Sequence, residues 1–446
     1  MPEDVNDKPP NHIDLAKPLP DIPMLSKEIS AFITDVDSIS DGFMVAMIMA
    51  VQTVYKKTIE ELETFETKYC EVTNDGEGRS VKIPTECFSE WKSLSKRVLM
   101  RKISLINLPR SILVSLISHY DAYLGRLLRT IYIRIPELLN TSDRKLTYED
   151  LVGFNSIESA KEYMIEKEVE SVLRGSHIEQ FKVMERLFGL PLTKGLESWP
   201  CFIEITERRN LFVHTGGMIS SQYLLVCTSQ NCKIDEGAVE GSFLSVPQDY
   251  FERANECIFE IGVKLGHVLW RKLFSDEREQ ADSNLLETTF ELLVSHKYEL
   301  AKKISNFACL ELKTYSSEKL KLMLIVNRSL AYKWSDDDKG ARHSMKGVDW
   351  SAKSDEFKLA NALILDDWDS AFLFMRHLGD KTVSKDDYRK WPLFKEWRKR
   401  DEFKAAYLEL FGENFDKPVK INTDDDHLML DNKSDPVTES GPITPA

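Results

Sequence analysis

At 446 residues the chain has room for two or three domains, and 42% hydrophobic with 30% charged residues excludes a disordered or fibrous class. The net charge is −14; residues 421–446 carry six acids and one base, so about −9 remains elsewhere. This excludes a general polyanion binder and confines any RNA contact to a local basic site, within one subunit or shared between two.

The seven cysteines are widely spaced, with no C-x-x-C pair. That argues against a disulfide framework and a thiolate zinc site, and fits reduced thiols in a cytoplasm. Residues 1–23 hold six prolines and do not read as a secretory signal; we expect a flexible arm over 1–25. A long helix is expected from Asp41 to Cys70. Its apolar run Gly42–Tyr55 is too short to span a bilayer and reads as one end of a buried amphipathic helix, so no membrane partner is expected. Asn74-Asp75-Gly76-Glu77-Gly78 breaks the chain, and a shorter helix follows over Glu86–Met100.

The segment Leu108–Ile135 repeats apolar residues at spacings of three and four, from Leu113 through Leu124 to Ile135. Pro109 fits its first turn and Pro136 ends it. Helical pattern resumes over Ser156–Phe188 and stops at Gly189-Leu190-Pro191. Ser198 with Pro200 starts a further helix, which Gly216-Gly217 ends with a left-handed cap. Extended pieces are expected over Gln222–Thr228 and Ser242–Val246. Ser245-x-x-Gln248 reads as a capping box for a helix reaching Leu273.

Beyond 280 the helices shorten and pair. Tyr298-x-x-Ala301 and Trp368-x-x-Ala371 lie 70 residues apart, twice 35, and the copy between them falls near Trp334 without its alanine. Trp391-Pro392-Leu393-Phe394 begins a terminal helix ending near Gly412. An acidic disordered tail is expected over 416–446.

Standard motifs for phosphate loops, dinucleotide folds, zincins and serine hydrolases are absent. One constellation remains, Glu207-Arg208-Arg209-Asn210-Leu211-Phe212-Val213-His214-Thr215-Gly216-Gly217, at the end of the helix from Ser198. Phe202, Ile205, Arg209 and Phe212 share a stripe, so Arg209 interrupts an apolar face and needs a carboxylate or an anionic ligand. Asn210 and His214 lie side by side, four apart. Arg209 and His214 are five apart, roughly 140° around an ideal helix. Either the last turn deforms, or two copies of the helix meet across a dimer axis. Arginine offers a planar fork to phosphate, and histidine a proton acceptor and donor near neutral pH. With the RNA 2′-OH as nucleophile, no metal or other cofactor is needed.

Other residues read more simply. His119 sits near Asp121 as a second proton carrier or a structural group, and His267 falls on a polar, solvated flank. Cys227 and Cys232 lack partners for a metal. Asp336–Asp338 and Asp424–Asp426 read as solvated acids, and Trp334, Trp350, Trp368, Trp391 and Trp397 as packing within the helical pairs.

Arg209-Asn210-x-x-x-His214 resembles the R-x(4–6)-H signature of HEPN domains, in which a polar residue follows the arginine. Arg208 also satisfies the looser spacing, though Asn210 favours Arg209. Ser115–Leu124 is similar to the opening HEPN helix, with Asp121 as its inward acid. The resemblance covers about 100–275, and 280–415 is similar to degenerate tetratricopeptide repeats. It implies an all-α bundle with helical insertions over 26–275 and a helical-hairpin region over 280–415. It further implies a homodimer with facing motifs and a metal-independent endoribonuclease of toxin or antiphage type. In that reading Arg209 binds phosphate, Asn210 orients, His214 moves the proton and Asp121 holds Arg209, with Arg208 in support. The rival is a non-catalytic protein that dimerises through the bundle and binds a partner protein or trigger through the repeats.

Overall fold

The structure, a computed structural model, describes residues 24–75, 78–141, 145–154, 156–379 and 382–417. The described residues are 77% helical, with two short strands among them, an all-α protein. The expected arm up to residue 23, the tail beyond 417 and Asp424–Asp426 lie outside the described residues. The chain forms two compact units that divide between Lys346 and Gly347.

In the first unit, α1 (Leu25–Ile48), a π-helical stretch (Met49–Tyr55) and α2 (Lys56–Tyr69) run on without a break. The helix begins at Leu25 rather than Asp41. Leu25, Ile29, Phe32 and Val36, spaced four, three and four, already form its buried stripe. Gly42–Tyr55 is not a buried end: Val45, Ile48 and Met49 are more than half exposed. Leu25–Tyr69 is the one helix among the described residues long and apolar enough to cross a membrane, with 6% of its apolar window buried.

The expected break is a β-hairpin, β1 (Glu71–Asp75) against β2 (Gly78–Lys82). From it α3 (Phe88–Arg134) runs 47 residues, about 70 Å at 1.5 Å per residue. The two helices expected here are one, and Pro109 lies inside it. A proline there costs about 3 kcal/mol locally. Burial beyond it offsets this: Pro109 is itself covered, and Leu113–Tyr132 supply the main core stripe.

After α4 (Tyr148–Gly153), the run expected over 156–188 is two helices, α5 (Ile157–Leu173) and α6 (His177–Phe188). Ser176 and Glu179 form a reciprocal capping box that restarts the chain. α7 (Trp199–Thr215) begins after Ser198 and ends at Gly216, φ 63°. The segment expected to be extended at 222–228 is helix α8 (Ser221–Ser229). Ser220 caps it, and Tyr223 and Cys227, four apart, are buried. α9 (Gln248–Leu273) starts after Pro247. The expected Ser245 box does not form, because Gln248 turns to Glu252 instead.

The core lies where α3 crosses α1, α7 and α9. Phe32 stacks on Tyr123, whose hydroxyl donates to the Gly262 carbonyl at 3.1 Å. Gly262 and Gly266 leave no room for a β-carbon against Phe32, Tyr123 and Ile29. His267 is fully buried beside Trp270, not solvated.

α10 (Arg278–Val294) belongs to this same unit. Arg271 of α9 forms a buried ion pair with Asp282, which also accepts from the Ser316 backbone at 2.6 Å. These contacts join both sides of the boundary expected near 280. α11 (Tyr298–Asn306), α12 (Glu318–Trp334) and α13 (Asp338–Ser344) complete the unit.

The second unit holds α14 (Asp355–Leu365), α15 (Trp368–Leu378), α16 (Lys385–Lys390) and α17 (Asp401–Phe411). The terminal helix starts ten residues after Trp391. Between them Trp397 is buried and stacks on Trp368 at 5.7 Å.

Three hairpins, α10–α11, α12–α13 and α14–α15, share one turn. His296, Asp336 and Asp366 are left-handed, with φ of 59°, 60° and 61°. The next amide donates five residues back each time: Lys297 to Leu292, Asp337 to Tyr332, and Asp367 to Ala362. The buried alanine then falls at the fourth helical position, Ala301, Ala341 and Ala371. The middle copy thus keeps its alanine and lacks the aromatic, the reverse of the expectation around Trp334. Its spacing is unequal chiefly because α12 has 17 residues and α14 has 11.

Candidate functional site

The motif helix α7 forms for local reasons. Pro200 sits in its first turn, and Gly216 and Gly217 take left-handed conformations that end it. The Gly217 amide donates to the Leu211 carbonyl at 3.0 Å. Arg110 of α3 clasps this end, donating to the Gly216 carbonyl at 3.0 Å and the Leu244 carbonyl at 2.7 Å, and lying over the Phe212 ring.

A cleft of about 440 Å³ opens along α7. Arg209, Asn210, His214 and Glu207 line it from α7, and Asp121 from α3. The α5–α6 turn with His177, and Ser220 and Gln222 at the start of α8, close the other sides. Arg209 and His214 therefore border one cleft within a single chain. The last turn of α7 stays helical through Thr215, so no deformation is involved.

The Asp121 carboxylate is shared. One oxygen is ion-paired with Arg209, and the other lies 2.9 Å from His177 Nε2. Arg209 also donates to Asn210 Oδ1 at 3.2 Å, while its Nε is buried without a partner. The guanidinium is thus oriented from two sides, 20% exposed. His214 is exposed at the cleft edge.

Burial pushes the Glu207 carboxyl above the ordinary carboxylate range, with His177 and Arg209 partly opposing it. His177 was missed in the sequence, and Glu207, within the constellation, was given no role. Only the Ser176-x-x-Glu179 box, which puts His177 in the first turn of a helix, could have drawn attention to His177.

Arg208 does not reach the cleft. It is 1% exposed, pointing the other way into a closed network. Its Nε donates to Glu204 at 2.7 Å, its Nη1 to the Ser245 carbonyl at 3.0 Å, and it lies over the Tyr250 ring. Tyr223 and Tyr250 hydroxyls each donate to Glu204 at 2.7 Å. Burial disfavours the charge on Arg208, but Tyr250 and Glu204 outweigh it and hold the guanidinium ionised. This is a structural role. The stripe argument separates the two arginines: Arg209 shares a face with Phe202 and Ile205 toward α3, whereas Arg208 lies four residues after Glu204.

His119 is also outside the cleft, 3.6 Å from Asp35 of α1. Among the described residues, no three His, Cys, Asp or Glu side chains are grouped to hold a metal.

The cleft therefore offers an oriented guanidinium, two imidazoles and a carboxyl biased toward its neutral form. That set suits binding an anion and moving protons beside it. No family model matches the chain, and no curated protein or solved structure matches it.

Proposed function

We propose that this cleft cleaves RNA endonucleolytically without a metal, in the manner of the HEPN nucleases that its motif resembles. The observation that carries the reading is the Asp121–Arg209 ion pair opening on the same cleft as His214. Arg209 meets the scissile phosphate and Asn210 holds its orientation. His214 takes the proton of the 2′-OH as that oxygen bonds to phosphorus. The bond from phosphorus to the 5′-oxygen breaks, and Glu207, neutral more often than an ordinary carboxyl, returns a proton to it. The products are a 2′,3′-cyclic phosphate and a free 5′-hydroxyl. The seven free cysteines suit action in a reducing cytoplasm. A toxin or antiphage role comes from the resemblance alone.

The test is RNA degradation by the purified chain beside His214→Ala. Cleavage by the first and not the second supports the reading; equal activity, or none in either, opposes it. One observation favours the non-catalytic rival. Both Nη groups of Arg209 already have protein partners, as in a structural ion pair. In that reading the hairpins α10–α15 bind a partner protein, and the chain is inert toward RNA.

A further inference from the structure

α1 with α2 and the first part of α3 form an antiparallel two-helix arm ending in the β-hairpin. The ion pair of Arg97 with Glu61, 3.3 Å, fixes their register. Such an arm covers only one side of each helix, and here the uncovered sides are apolar. Met44, Val45, Ile48, Met49, Val51 and Val54 are exposed on one helix. Leu99, Met100, Ile103 and Ile106 are exposed on the other. Leu99, Ile103 and Ile106, spaced four and three, are flanked at three and four by Lys96 and Arg110. Met44, Ile48 and Val51 repeat four and three. These are seams of the kind that helical bundles bury.

We propose that the arm is a dimerisation element that pairs with the arm of a second copy of this chain in an intermolecular four-helix bundle.

Two observations select a second copy. The ten side chains, 36–58% exposed, present an apolar area of about 800 Å², roughly one side of a stable interface and more than an ordinary monomer leaves bare. The charges are also self-complementary. Toward the tip, α2 carries Glu60, Glu61 and Glu63, level with Lys92, Lys96 and Arg97 of α3 in the register that the Arg97–Glu61 pair sets. With a two-fold axis along the arm, α2 of each copy lies beside α3 of the other, acid against base at the same level.

A bilayer fits the arm less well. Its uncharged run Gly42–Tyr55 is 14 residues, about 21 Å at helical rise against a hydrocarbon core of about 30 Å. Arg101 and Lys102 interrupt the apolar stretch of α3.

This inference is independent of the nuclease reading, and its test reads mass rather than cleavage. Light scattering of the full chain at about 10 µM should give twice the chain mass. The double variant Ile48→Glu/Ile103→Glu changes two exposed positions. It should keep its helical spectrum and melting temperature at low concentration while the dimer Kd rises at least about 100-fold. A second pair keeps the test independent of folding: Lys92→Glu/Lys96→Glu and Glu60→Lys/Glu63→Lys should each dimerise poorly alone and recover when mixed. A monomeric wild type overturns the proposal. So does a dimer that survives Ile48→Glu/Ile103→Glu, which would place the axis elsewhere, such as along α7. Binding of a monomer to phosphatidylcholine–phosphatidylglycerol vesicles, lost in Ile48→Glu/Ile103→Glu, would also overturn it in favour of a lipid surface.

Discussion

Asp121 of α3 and Arg209 of α7, 88 residues apart, join in an ion pair that turns one guanidinium toward the cleft and brings the two helices together. Neither side chain is more than about a quarter exposed. The same carboxylate holds His177, so it orients a guanidinium and an imidazole at once.

Replacing Asp121 with alanine leaves Arg209 and His177 without their common acceptor. The expected loss is about 1–3 kcal/mol of stability, below that of a fully buried pair because both groups retain some water. Chemical denaturation measures it. An Asp121→Ala chain as stable as the wild type would show that the pair does not hold α3 to α7.

Much of this relationship was legible in the sequence. Arg209 interrupts an apolar helical stripe and so needs a carboxylate, and the resemblance of Ser115–Leu124 to the opening HEPN helix offered Asp121. The ends of α7 were legible too, because Pro200 and Gly216 act within one turn. Glu207 and His177 were not, since only the docking of α6 against α7 decides that they face one cleft. Nor was the continuity of α3. Pro109 is a local stop signal, overridden by core burial beyond it that no local window contains. The α8 segment misled in the same way: Tyr223-Leu224-Leu225-Val226 has strand-forming composition, but Ser220 caps a helix whose buried residues are four apart.

Glu204 and Arg208 are 4% and 1% exposed and belong to one network with Tyr223 and Tyr250. Glu204→Ala should cost about 3–5 kcal/mol, as for removal of one member of a buried pair. Arg208→Ala should behave alike, and the double variant should cost less than the two single losses combined. Urea midpoints with unchanged slopes would read this out. A stable Arg208→Ala chain that has lost only RNA cleavage would return Arg208 to the site.

His267 is fully buried, and burial together with the neighbouring Arg271 lowers its pKa from 6.5 to about 3. Below pH 6.5 the unfolded chain takes up a proton that the native chain refuses. Stability should therefore be intact above pH 7 and fall as pH drops from about 6.5 toward 3, by up to about 1.4 kcal/mol per pH unit. Melting temperatures at pH 7 and pH 5 for wild type and His267→Leu test this. The wild type should lose more on acidification; equal losses would mean the ring is protonated in the native state.

The central claim, metal-independent RNA cleavage at Arg209 and His214, meets its most direct test in the chemistry of the product ends. Purified chain is incubated with a labelled RNA in EDTA, beside His214→Ala and beside the same RNA 2′-O-methylated at the cut site. The account predicts fragments with 2′,3′-cyclic phosphate and 5′-hydroxyl ends from the wild type alone, and none from the methylated RNA. Intact RNA under these conditions, or cleavage that needs Mg²⁺ and leaves a 5′-phosphate, would contradict it.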